Sequence, residues 1–161
     1  MESYYIMARI EFGSKEECRW DLPDDLYYHK QDHIWARKDG AKVYLGVDQF
    51  GQYAAGQIQY MKIMPIGRKF KKEKTFGSLE SGKYIGPMRA PVGGTIIDRN
   101  ENVINNPKKI NDLPYESWVI CIEPEKFDED IEGLPHGEES IKEWMHAELN
   151  EYKEKELLEC D

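Results

Sequence analysis

The sequence lacks most of what would mark a membrane-bound, disulfide-rich or metal-bound chain. No run reaches the ~18 to 20 consecutive apolar residues that a membrane helix needs, so no membrane partner is expected. Its 161 residues include three cysteines, Cys18, Cys121 and Cys160. They are odd in number and far apart, which predicts neither a disulfide framework nor a zinc site, and a reducing cytoplasm is the default compartment. Cys121 sits in an apolar stretch and reads as an inert buried thiol, whereas Cys160, one residue from the end, reads as exposed. The four histidines, His29, His33, His136 and His146, show no metal spacing such as His-Glu-x-x-His, so no metal is expected. There is no Gly-x-Ser-x-Gly elbow and no phosphate loop. Nothing assembles a nucleophile, a base and an oxyanion site, which argues against an enzyme acting alone. The opening Met1-Glu2-Ser3-Tyr4-Tyr5 has neither a basic region nor a small-residue cleavage site, so it does not read as a signal peptide.

What is present is a modest core and an uneven charge. Hydrophobic residues make up 40% of the chain, enough to fold one domain by length. The net charge is −9, but the stretch from Glu123 to Asp161 holds fifteen acidic residues and four lysines, a net of −11. The body is therefore close to neutral. A local basic stretch runs from Lys62 to Lys74 (Lys62, Arg68, Lys69, Lys71, Lys72, Lys74). One such patch in an acidic protein fits a solvated loop or a face for an acidic partner better than nucleic acid, and no nucleic-acid partner is expected.

Periodicity divides the chain. Tyr4 to Phe12 alternates loosely and predicts a strand. Gly13 to Asp25 is polar and ends in a turn signal at Leu22-Pro23-Asp24-Asp25. From Leu26 to about Glu123 short strands follow one another. Asp39-Gly40 lies between two apolar runs, His33 to Arg37 and Val43 to Val47, and predicts a hairpin. Asp48 is a candidate N-cap for a short helix to Ala55. Gln57 to Met64 alternates, with Ile58 and Tyr60 expected on one face and Met61 and Ile63 on the other. Thr75 to Glu80, Thr95 to Asp98 and Trp118 to Ile122 complete the expected strands. Ile141, Trp144, Met145, Leu149 and Tyr152 then recur at helical spacing with acids between them, predicting an amphipathic C-terminal helix. The expected boundaries are an N-terminal extension at 1–21, a domain at 22–134 and an acidic helix at 135–161 packed on that domain.

One lysine stands out by its surroundings. Gly77-Ser78-Leu79-Glu80-Ser81-Gly82-Lys83 is followed, after six residues, by Ala90-Pro91-Val92-Gly93-Gly94. This segment resembles the lipoyl-attachment hairpin of glycine cleavage system H proteins, in which Glu-Ser-x-Lys precedes a similar spacer and an Ala/Ser-Pro-x-Ser-Gly turn. The resemblance continues in register. His33-x-Trp35 is similar to the family's His-Glu-Trp, and Gly46-Val47-Asp48 through Gly56-Gln57-Ile58 to Pro65-x-Gly67 fits without a gap. Asn100, Pro107, Asn111-Asp112 and Pro114-Tyr115-Glu116-Ser117-Trp118 follow. It covers the chain from about Leu22 to the C-terminal helix.

The resemblance implies a mainly β fold, a barrel-sandwich hybrid of two antiparallel sheets of the lipoyl-domain type, with a C-terminal α-helix. It implies lipoic acid as a covalent cofactor in amide linkage to Lys83, with Glu80, Ser81 and Gly82 as its immediate context. Taken alone, Lys83 also reads as a plain exposed lysine. A biotinyl lysine would usually sit between methionines, whereas this one has Gly82 and Tyr84 as neighbours. The physical requirement is a primary amine held clear of a rigid scaffold, which a hairpin tip supplies. The implied role is that of a non-catalytic carrier served by a lipoyl ligase or transferase. Its implied partners are glycine decarboxylase, aminomethyltransferase and dihydrolipoamide dehydrogenase. A barrel used only as an unmodified binding module is the alternative of a different class.

Two positions depart from the family pattern. The family's acidic groups that help hold a methylamine-loaded arm in a cleft are replaced by Ile34 and Pro87, which offer no side-chain acceptor. Asp32, beside His33, is the expected substitute in an arm-docking cleft of Asp32, His33, Ile34 and Pro87. The Lys-aromatic-x-Gly-Pro pattern of Lys83 to Pro87 is similar to lipoate-binding proteins that serve a heterodisulfide-reductase-like complex in sulfur oxidation. That resemblance implies a sulfur cargo as the alternative to methylamine.

Overall fold

In the computed structural model, residues 6–160 are described. In chain order the elements are β1 (Met7–Glu11), a single 3-10 turn (Glu16–Cys18), β2 (Arg19–Pro23), β3 (Tyr27–Tyr28), β4 (Ile34–Asp39) and β5 (Lys42–Val47). Then come α1 (Gln49–Ala55), β6 (Ile58–Ile63), β7 (Lys69–Phe70), β8 (Thr75–Ser81), β9 (Ile85–Arg89) and β10 (Gly94–Arg99). The chain ends with α2 (Glu101–Ile104), α3 (Lys108–Asp112), β11 (Ile120–Pro124), α4 (Phe127–Asp130) and α5 (Glu138–Glu154). Two compact units result. Tyr27–Leu134 form one, and the described residues up to Leu26 join those from Pro135 onward in the other.

The larger unit contains two antiparallel sheets, one of six strands in the order β3-β4-β5-β11-β10-β7 and one of three in the order β6-β8-β9. This is the expected barrel-sandwich architecture. Its core draws Val43, Leu45 and Val47 from β5, Ile120 and Ile122 from β11, Ile58 from β6, and Phe76, Leu79 and Met88 from β8 and β9. The β4–β5 hairpin pairs Asp39 with Lys42 and places Gly40 at φ +61° in the turn, which is why Asp-Gly announces it. Asp48 caps α1 as expected, its Oδ1 accepting from Gly51 N at 2.7 Å.

Two expectations within this unit need correction. Ile58 and Tyr60 do not share a face. The β6–β8 register shifts between them, so Ile58, Met61 and Ile63 turn inward while Tyr60 and Lys62 turn outward. An extra residue in a bulge flips every later side chain. Also, Ile85 to Arg89 is a strand, which the expected set of strands did not include. Pro87 is tolerated there because β9 is an edge strand, paired with β8 alone in its sheet, where a missing N–H leaves no second neighbour short of a donor.

The smaller unit joins the two ends of the chain. β1 and β2 form an antiparallel pair from Met7↔Pro23 to Glu11↔Arg19, so the polar stretch after Gly13 contains a strand ahead of its turn signal. Ala8, Ile10, Trp20 and Leu22 are buried on its apolar face. α5 packs on β1 through Ile141, Trp144, Met145 and Leu149, the positions marked by the helical period. Gly137 N donates to Asp24 O at 2.9 Å, and His136 Nδ1 donates to Leu26 O at 3.0 Å. The divisions in the structure lie at 26/27 and 134/135, and the described residues before the first belong with those after the second in one unit. A two-stranded ribbon cannot bury its apolar face alone, and here a distant helix covers it.

The cysteine reading is overturned in the same unit. Cys18 and Cys160 form a disulfide, with Cα atoms 6.0 Å apart across a sequence separation of 142. Cys160 is 9% exposed, not free in solvent. Spacing along the chain says nothing of closeness in space, and the odd third cysteine, Cys121, is the buried free thiol expected. Burial pushes the Cys121 thiol up from its ordinary pKa.

Candidate functional site

The β8–β9 hairpin ends in a tight turn. Glu80 pairs with Ile85, and Ser81 N donates to Tyr84 O at 2.7 Å, leaving Gly82 and Lys83 at the tip. Both tip residues are exposed. Lys83 Nζ makes no hydrogen bond or ion pair among the described residues. A primary amine is thus presented to solvent on a rigid two-stranded support.

The tip is braced against the end of α1. The last carbonyls of any helix lack intrahelical donors. Here Ser81 Oγ donates to Ala55 O at 2.5 Å, and Lys83 N donates to Ser81 Oγ at 3.3 Å. Asn111, from α3, donates to Gly56 O at 2.9 Å and to Gln52 Oε1 at 3.0 Å, and its Oδ1 accepts from Ile58 N at 2.9 Å. The aliphatic stem of Lys83 lies over Gly56, so close that a Cβ on residue 56 would stand 2.8 Å from Lys83 Cε. Ser81 is buried beneath the tip and links it to the end of α1. Asn111 and Gly56 were legible only as positions in register with a family, not as parts of a brace.

The loop between β3 and β4 supports the hairpin from another side. Asp32 receives Arg89 through Nε at 2.8 Å, Nη2 at 2.7 Å and the backbone N at 2.9 Å. This two-pronged pairing holds the Arg89 guanidinium above its ordinary pKa. His29 is fully buried; its Nδ1 accepts from Asp32 N at 3.0 Å, so its Nε2 carries the proton and donates to Glu73 at 2.8 Å. His33, at φ +58°, is buried with Nδ1 2.8 Å from Asp48 Oδ2 and its ring 5.0 Å from that of Phe50. One loop therefore ties α1 and β9 together. The Asp32–Arg89 and His33–Asp48 pairs carry this tie, and neither pairing was legible in the sequence, since each partner is remote along the chain.

The four residues expected to form an arm-docking cleft are thus placed differently. Asp32 is engaged by Arg89, and His33 is a packing residue joined to Asp48. Ile34 is 1% exposed within the core cluster, so its side chain lines no cleft; this corrects the expectation. A branched apolar side chain gains more from the core than from a polar rim. Pro87 is exposed on β9. Tyr84 folds back over Gly86, where any Cβ would overlap its ring and hydroxyl. Burial, then the Asp32 carboxylate, raise the Tyr84 phenol above its ordinary pKa, against the opposing pull of Arg89. No group of three or more potential metal ligands occurs among the described residues.

Residues 26–147 match the family model described as glycine cleavage H-protein. The chain belongs to the glycine cleavage H-protein family. The "Glycine cleavage system H protein 2" of Aquifex aeolicus is 38% identical over 142 residues, covering 86% of this chain and 84% of that protein. The "Probable glycine cleavage system H protein 3" of Saccharolobus solfataricus is 41% identical over 108 residues, covering 66% of this chain and 77% of that one. The crystal structure of a glycine cleavage system H protein from Mycobacterium marinum aligns with a TM-score of 0.66 at 23% identity, covering 76% of this chain and 98% of that one. That likeness speaks to the fold.

Proposed function

We propose that this H-protein family member is a lipoyl carrier with Lys83 as its single attachment site. The observation that carries the reading is the free, exposed Nζ at a hairpin tip braced by Ser81, Gly56 and Asn111. The residues fit the group: a primary amine is available, nothing buries it, and Gly82 leaves the approach open. In the attachment step, deprotonated Lys83 Nζ displaces the activating group from an activated carboxyl. One C–N bond forms, the carbonyl–oxygen bond to the leaving group breaks, and the amine proton passes to solvent. The attached group supplies a dithiolane whose disulfide exchange accepts and releases cargo. The chain's own contribution is tethering, which raises the local concentration of that group at each partner.

The partner set proposed on the strength of family membership is glycine decarboxylase, aminomethyltransferase and dihydrolipoamide dehydrogenase, with a ligase or transferase acting first. A second reading has one specific observation in its favour. The acceptors needed by a cationic methylamine cargo are missing at Ile34 and Pro87, and Asp32 is occupied by Arg89. Desolvating an unpaired cation is costly. An uncharged or anionic sulfur cargo, passed to a heterodisulfide-reductase-like complex, avoids that cost. Intact-mass analysis after co-expression with a lipoate–protein ligase tests the first reading. Wild type gains one lipoyl mass and Lys83→Arg gains none; lipoyl mass on the arginine variant would refute the site. Supplying glycine and glycine decarboxylase to the lipoylated protein then separates the cargoes. A long-lived methylamine adduct would remove the case for sulfur.

A further inference from the structure

The segment that follows α5 is held in place by few contacts. The backbone turns at Glu156, φ +58°, and Leu157 N donates to Tyr152 O at 2.9 Å. Among the described residues, no backbone–backbone hydrogen bond holds 158–160 beyond that turn. What fixes them is the Cys18–Cys160 bond, the buried side chain of Leu158, and Lys15 Nζ donating to Glu159 O at 3.0 Å. The two sulfurs are not equivalent. Cys18 is 1% exposed in its 3-10 turn, and Cys160 is 9% exposed. Cys18 Sγ stands 3.8 Å from the same Glu159 O that receives Lys15. A half-buried ammonium is therefore set beside the sulfur of Cys18.

We propose that the Cys18–Cys160 bond is a thiol–disulfide exchange site whose reductant is a dihydrolipoyl dithiol. The choice of dithiol rests on the lipoyl reading of Lys83; the exchange itself does not. One thiolate of the dithiol attacks Cys160 Sγ, the more open sulfur. The Cys18–Cys160 bond breaks, and its electron pair leaves on Cys18 Sγ. A cation beside a thiolate stabilises it, and a less basic thiolate leaves faster, which is the part played by Lys15. A new S–S bond now joins the dithiol to Cys160. A monothiol stops there, and the neighbouring Cys18 thiolate expels it again. The second sulfur of a dithiol instead closes its own ring and releases Cys160. The dithiol is oxidised to a dithiolane and the cystine is reduced to two thiols. The two protons of the dithiol end on Cys18 and Cys160. Residues 158–160 then keep only the Lys15 contact and Leu158, so the segment opens and uncovers Cys18. The chain thereby holds a two-electron couple in addition to the one proposed for the arm.

The test uses the full-length Lys83→Arg protein in its oxidised form, so that no arm of its own takes part, with free dihydrolipoamide as the probe. Samples are alkylated over time under native conditions, and labelled cysteines are located by peptide mass. Cys18 and Cys160 should both become labelled with release of lipoamide, while buried Cys121 stays unlabelled. Glutathione at equal thiol concentration should open less than about a tenth as much, because a monothiol is expelled from the mixed disulfide. Lys15→Gln should slow the reduction by roughly threefold, since exchange rates follow only a fraction of any change in thiol acidity. Its thermal midpoint should match that of the parent. Hydrogen exchange of the reduced protein should speed up at 157–160 and stay slow from Ile141 to Leu149. A bond that survives excess dihydrolipoamide in the folded protein, and yields only in urea, would overturn the proposal and leave a structural cross-link. A Lys15→Gln protein reduced at the parent rate would overturn Cys18 as the leaving sulfur. Wild type that gains no lipoyl mass would overturn the reading of Lys83, and with it the choice of dithiol, without touching an exchange seen on the arginine variant.

Discussion

The stem of Lys83 lies across Gly56, with Cε 2.8 Å from where a Cβ on residue 56 would stand. Gly56 closes α1 at φ +80° and ψ −164°, a conformation essentially restricted to glycine. Gly56→Ala is therefore expected to cost about 1 to 3 kcal/mol of unfolding free energy, nearly all of it from the backbone. The far end of a lysine moves aside readily, so Lys83 should still accept a lipoyl mass. Urea unfolding together with intact-mass analysis checks both halves. A fully stable alanine variant would contradict the assigned backbone geometry.

Asn111 holds the same corner from α3. Asn111→Ala leaves Ile58 N–H and the carbonyls of Gln52 and Gly56 without that partner. The expected loss is about 1 to 3 kcal/mol, the range for stranding partly buried polar groups. Hydrogen exchange locates it: the amide of Ile58 should exchange faster in the variant, while amides of the β4–β5 hairpin keep their protection.

Burial of Tyr84 beside the Asp32–Arg89 pair leaves a titration signature. Burial and Asp32 hold that phenol above its ordinary value of 10. The unfolded chain therefore ionises Tyr84 first as pH rises. The stability linked to its protonated form is fully present below about 10 and is lost as pH climbs through the folded-state value. The expected outcome is that wild type loses stability between pH 9 and 11 more steeply than Tyr84→Phe (roughly the range bracketing an ordinary phenol). Equal slopes in urea melts across that range would contradict the shift.

The Cys18–Cys160 bond ties the turn before β2 to the chain end beyond α5. A bond closing so long a loop restricts the unfolded chain strongly, and its loss typically costs about 2 to 5 kcal/mol. Cys18→Ser or a thiol reductant should lower stability by that order in chemical unfolding, and reductant should add nothing to the serine variant. The unreduced, unfolded protein should titrate as one free thiol, that of Cys121, which burial keeps protonated and slow to alkylate in the folded state.

The elements written locally were legible from the residues alone. Asp39-Gly40 fixes a hairpin, Asp48 caps α1, and Ile141, Trp144, Met145 and Leu149 mark the buried face of α5. Each depends on residues within a few positions of one another, where propensity, capping and periodicity act. The Glu80-Ser81-Gly82-Lys83 motif pointed to Lys83 for the same reason, with the family's register around it. Tertiary structure decided the rest. It brought Cys18 to Cys160, Arg89 to Asp32 and Asn111 to the end of α1, and it took Ile34 into the core. A single bulge in β6 reversed the facing of Tyr60 against Ile58. These relations join residues dozens of positions apart, and their energies exist only once the chain has closed the intervening loops. No window of sequence contains both partners, so no local rule can find them.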